Sequence, residues 1–159
     1  MFMDSAEKRF RAYKTLAEKA MAQLEEKDLY FSDHEDTNSI ALIIQHLAEN
    51  MLSRWTNFLE TDGEKEWRHR DTEFELHLNT KDKLMETWEK GWTCLFDTLH
   101  SLTDEDLSKT VYIRKEPLSV MDAIHRQLAH YAYHIGQIVY VAKMIQKENW
   151  QSLSIPKKK

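Results

Sequence analysis

The chain has little of what usually punctuates or cross-links a fold. Its 159 residues include one cysteine, three glycines and two prolines. A single cysteine excludes an internal disulfide, and the setting of Cys94, GWTCLFDTL, reads as a helix face carrying a plain buried or half-buried thiol. With so few glycines and prolines there are few places to turn, which favours long helices. No apolar run approaches the length that spans a bilayer, so no membrane partner is expected. Residues 1–27 are densely charged and lack an apolar core followed by a cleavage site, so the expected compartment is the cytoplasm. Positive charge is not in excess either. A net charge of −5 and a pI near 5.9 disfavour a nucleic-acid partner, and the terminal PKKK is too short to reverse this.

What is present is an ordinary globular composition, 42% hydrophobic and 31% charged. The length suits one domain over residues 1–159, with a short solvated basic tail at 156–159. Apolar residues recur at intervals of three and four in four segments. The first covers about residues 5–27, with Phe10, Tyr13, Ala17, Ala20, Met21 and Leu24 on one face and Asp4 as its expected cap. The second, about 38–60, carries Ile40, Ile44, Leu47, Met51, Trp55 and Phe58, and the third, about 80–101, carries Leu84, Trp88, Trp92, Leu95, Leu99 and Leu102. The fourth, about 118–147, steps through Met121, Ile124, Leu128, Tyr131, Ile135, Ile138, Ala142 and Ile145 after a capping-box signature, SVMD. Four amphipathic helices predict an all-α fold, a four-helix bundle. The connection between helices two and three, roughly twenty residues long, permits a crossover and an up-down-down-up order.

Chemistry is concentrated in HYAYHIGQ, residues 130–137, where His130 and His134 stand four apart on the fourth helix. At 100° per residue they lie to one side of the apolar stripe, on a seam with Ala123, Gln127, Gln137 and Val141. His46 on the second segment lies to the same side of its own stripe, beside Ser39, Asn50 and Ser53. Two readings stand at this point. The three imidazoles hold one divalent ion with open positions left for chemistry, or they are unrelated boundary residues bonded to water and backbone. His34, His69, His77 and His100 fall in or near connections and His125 points away from the seam, so surface roles are expected for these five.

IIQHLAENMLSRW, TDGEKEWRHRDTEFE and HRQLAHYAYHIGQIVYVAK together resemble the DinB/YfiT-like superfamily of metal-binding four-helix bundles, and within it a small Bacillus-type subfamily of unknown function. The resemblance covers essentially the whole chain. It implies a divalent metal, zinc or nickel, on His46, His130 and His134, an up-down-down-up fold, and a glycine-glutamine after the last ligand, matched by Gly136 and Gln137. Superfamily members with established activities include bacillithiol S-transferases and mycothiol-dependent maleylpyruvate isomerases. The expectation that follows is a metal-dependent S-transferase using a low-molecular-weight thiol as cosubstrate, with Gln137 orienting a ligand imidazole or a bound water. The alternative is a non-catalytic metal- or ligand-binding protein.

The seam of the fourth helix carries no carboxylate for a hydrolytic base, and Glu49 is the nearest candidate on the second. Trp67, Arg68, Arg70 and Phe74 in the long connection, with Arg54 and Arg126, either serve the site or satisfy charges locally. Trp55, Trp67, Trp88 and Trp92 are more apolar surface than one seam needs, which leads to the expectation of a homodimer.

Overall fold

Three helices begin where a hydroxyl can take up a free N–H of the first turn: Ser39 accepts from Leu42, Thr80 from Lys83 and Ser119 from Asp122. A computed structural model describes residues 1–69 and 72–156. Its helices are α1 (Phe2–Met21), α2 (Glu26–Leu29), α3 (Ile40–Trp55), α4 (Lys81–Ser101) and α5 (Val120–Gln146), with short 3-10 turns at Asp104–Ser108 and Lys147–Asn149. The strands β1 (Thr110–Ile113) and β2 (Glu116–Ser119) pair antiparallel, Thr110 opposite Ser119 and Ile113 opposite Glu116.

The expectation of an all-α, up-down-down-up four-helix bundle is therefore corrected. Among the described residues there are five α-helices and a two-stranded sheet, so the chain is mostly helical without being a clean four-helix bundle. The hairpin forms because TVYI alternates, burying Val111 and Ile113 while Thr110 and Tyr112 face out. Its two-residue turn needs positive φ at both positions, usually supplied by asparagine and glycine. Here Arg114 and Lys115 adopt φ of 54° and 64°. The Asp62 carboxylate holds them there, accepting from their backbone N–H groups at 2.9 and 2.7 Å.

The first predicted helix also divides. It ends at Met21, and the short α2 follows with its own capping box between Glu25 and Asp28. Asp4 is not its cap, since the helix has already begun at Phe2 and Asp4 lies in the first turn.

The core sits where α3 packs on α4 and α1 on α5. The predicted stripes of the second and third segments are buried throughout, from Ile40 to Phe58 and from Leu84 to Leu102; on α5 Met121 emerges to solvent. Helix α3 is buried nearly all round, polar residues included, which marks it as the central helix. Trp55, Trp88 and Trp92 are fully buried around Phe10 and Tyr131 and belong to the core, and of the four tryptophans expected to leave an exposed patch only Trp67 stands out, half-exposed. Cys94 is half-buried, 3.6 Å from the Thr56 hydroxyl. No helix among the described residues is long and apolar enough to cross a membrane. The basic tail lies outside the described residues beyond position 156.

Candidate metal centre

Helices α3 and α5 bring His46, His130 and His134 together, with one ring nitrogen of each within 4.8 Å of the others. The Nε2 atoms of His46 and His130 are 3.3 Å apart. Two ligands about 2.0–2.1 Å from one tetrahedral zinc would stand about this far from each other. This set is the one cluster of ligating side chains found among the described residues.

The opposite ring nitrogens face oxygens. His134 Nδ1 donates to Gln137 Oε1 at 2.7 Å, and His130 Nδ1 faces Gln127 Oε1 at 3.4 Å. His46 Nδ1 lies 2.6 Å from Glu73 Oε1, off the axis of the ring N–H. An acceptor at Nδ1 fixes the proton there and leaves the lone pair on Nε2, the tautomer that binds a cation. Burial, together with the neighbouring imidazoles, lowers His130 to about 3, and burial lowers His134 to about 4 against the raising effect of Gln137. Both are neutral at pH 7, as ligands must be.

Glu73 is the residue the sequence did not disclose. Nothing periodic in its segment points to it, and it reaches His46 only because the loop after α3 folds back over that helix. Two side chains of α3 fasten the loop. Ser53 donates to Gly63 O at 3.0 Å and accepts from Lys65 N at 3.1 Å. Gln45 accepts from the N–H groups of His77 and Leu78 and donates to Glu75 O. Between these anchors Phe74 stacks on the His46 ring, centroids 5.4 Å apart. Burial alone would raise the Glu73 carboxyl, but His46 and Arg68 outweigh it and hold it down at about 2. Arg68, itself nearly buried, pairs with Glu73 and lies 3.6 Å from Glu64.

A cavity of about 350 Å³ opens beside His46 and His130. Asn50 and Gln127 contribute to its wall, and Arg54 and Arg126, named from the sequence, do so as well. Trp67 is not among its lining residues, and Arg70 lies outside the described residues. Larger hollows of about 660 and 710 Å³ lie near Ser32–Thr37 and Tyr140–Ile145, with no ligating cluster in either. The remaining histidines are peripheral, as expected: His77 meets Glu49 at 2.8 Å, His100 meets Glu7 at 3.1 Å, His125 packs on Phe2, and His34 and His69 are exposed. Glu49 is thus taken up by His77 and is not the carboxylate of the site.

No curated protein matches this chain. The family described as "Protein of unknown function (DUF1572)" matches all of residues 1–159, and the chain belongs to that family.

Proposed function

We propose that this is a cytoplasmic protein of the DinB/YfiT-like superfamily that holds one divalent ion, zinc or nickel, on His46, His130 and His134, and that it transfers a low-molecular-weight thiol to an electrophile. One observation carries the metal reading: two helices bring one ring nitrogen from each of the three imidazoles within 4.8 Å of the others, with Nδ1 of His130 and His134 turned to glutamine oxygens. The donor set and the 3.3 Å separation of two Nε2 atoms fit such an ion. When bound, the ion would supply Lewis acidity that favours the ionised form of a thiol or water reaching it.

The protein's own part is to hold His130 and His134 neutral, to cover His46 with Phe74, and to keep Glu73 ionised. A carboxyl held at about 2 is a weak base at neutral pH, so Glu73 positions His46 and does not abstract a proton. A reaction needing no general base, thiol transfer, suits this better than hydrolysis. The same lack of a base suits the alternative of metal or ligand binding without turnover.

The tests are direct. Elemental analysis of protein purified without an affinity tag should give about one ion per chain, lost in His130→Ala and His134→Ala. Full occupancy in both variants would sink the metal reading. Zinc-loaded protein is then offered a chromogenic electrophile with bacillithiol, glutathione, cysteine or water alone. Acceleration that requires a thiol supports transfer. Turnover with water that no thiol increases overturns it, and no turnover at all favours the binding protein.

A further inference from the structure

Four arginines and two glutamates meet on the wall of the cavity beside the imidazoles, from four separate parts of the chain. Arg68 is committed to Glu73 and Glu64. The other three are not matched in this way. Arg54, on α3, is 5% exposed, yet its Nε and Nη1 atoms have no hydrogen-bond partner and its nearest carboxylate contact is Glu64 at 4.0 Å. Burial lowers its pKa to about 10, which still leaves it charged at neutral pH. Its place is built: Gly63 presses against it, and a Cβ there would fall 2.8 Å from Nη1. Arg126 is on α5 one turn before His130, so it shares that ligand's face. Arg114 comes from the hairpin turn that Asp62 fastens. Among the described residues neither Arg114 nor Arg126 has an ion-pair partner.

A buried guanidinium without a full set of acceptors is costly unless an anion completes it. Arg54 is such a group, and with the exposed Arg114 and Arg126 on the same cavity wall it forms a fork for a carboxylate or phosphoryl group. We propose that this cavity is the seat of an oxyanion-bearing small molecule, its acid group held by Arg54, Arg114 and Arg126 and its other end turned towards His46 and His130. The inference deepens the metal reading and rests on it for the far end of the ligand; the anion seat stands without the ion. The volume suits a small metabolite-sized acid, since ligand sites run from roughly 300 to 1,000 Å³.

The experiment is calorimetric titration of the full-length chain, zinc-loaded and chelator-treated, with succinate, inorganic phosphate and the neutral succinamide. Arg114→Gln, Arg126→Gln and the double variant are titrated alongside. Both arginine positions are at the surface of the fold, so the variants should keep it. Succinate or phosphate should bind the metal-free chain at millimolar concentration or below, more weakly as salt is raised, with succinamide inert. The double variant should bind about tenfold more weakly or worse, with zinc content unchanged. Preference for succinate assigns a carboxylate ligand and preference for phosphate a phosphoryl one. Anion binding that ignores both substitutions, equal binding of succinamide, or no binding of either anion would each overturn the proposal. Arginine-dependent anion binding in a chain that takes up no zinc would support the seat while removing the metal reading.

Discussion

His130 and Tyr131 are neighbours in sequence and face two different interiors. On the Tyr131 side the space between helices is filled by Phe10, Trp55, Trp92 and Tyr131 at ring separations of 5.7 to 6.5 Å. The polar atoms there are mostly disposed of: Trp55 Nε1 donates to the Tyr131 hydroxyl, which donates to Asn50, while Trp92 Nε1 has no partner. On the His130 side α3 and α5 place three histidines and the buried Arg54 around a cavity that the loop after α3 completes with Arg68 and Glu73. The first region is closed by packing. In the second, the Arg54 guanidinium is buried ahead of a complete set of partners, and a ligand is the simplest completion. The contrast teaches that one helix, α5, turning by about 100° between adjacent residues, can spend one face on stability and the next on recognition.

That division is broken most forcefully from the aromatic side. Replacing Trp92 with alanine should cost about 3–5 kcal/mol of stability, read by urea denaturation, while zinc bound per folded chain stays the same. If metal uptake is lost together with stability, the two regions are not separable. The converse substitution, His130→Ala or His134→Ala, should lower zinc affinity by more than about 100-fold, beyond what loss of an outer partner does, and leave the helicity of the metal-free chain nearly intact. Collapse of the fold would place these histidines in the structural half.

Glu73→Gln tests whether the loop belongs to the site. Zinc affinity should fall by about 10- to 100-fold, since the His46 ring loses its charged partner while all three ligands remain. An unchanged affinity would make Glu73 merely the counterion of Arg68. The smallest effect is expected at Gly136, between His134 and Gln137, where an added Cβ would meet nothing within 4 Å. Gly136→Ala should raise stability by about 0.5–1 kcal/mol through the helix propensity of alanine, with zinc affinity unaltered. A drop in affinity would give this glycine a role that packing does not.

Much of the helical frame could be read from spacing, and every residue expected on the stripes of the second and third segments is buried, although α3 buries most of its other residues as well. The three histidines were legible for the same reason: they sit on helices, where an angle can be counted. What could not be read lies where no period exists. The hairpin was hidden by its turn, since Arg114 and Lys115 take a conformation that the sequence normally announces with asparagine or glycine, and the stabilising carboxylate, Asp62, is some fifty positions away. Glu73 was hidden in the same manner, joined to His46 only by a loop whose fastenings, Ser53 and Gln45, resemble ordinary polar residues of a helix. The stripes already placed Trp55, Trp88 and Trp92 on apolar faces, but the four tryptophans looked like more than one seam could cover, because periodicity says which residues share a face and not how many helices converge on it.

The distribution of indoles has a spectroscopic consequence. Trp55, Trp88 and Trp92 are sealed in the apolar half, whereas Trp67 stands half-exposed on the loop that delivers Arg68 and Glu73. Emission from the sealed rings lies to the blue and emission from the most exposed one to the red, so a quencher dissolved in water reaches Trp67 first and the partly buried Trp150 less. Occupation of the cavity, by clamping that loop, should then be visible as reduced quenching of the red component alone, an optical gauge of binding that the molecule already carries.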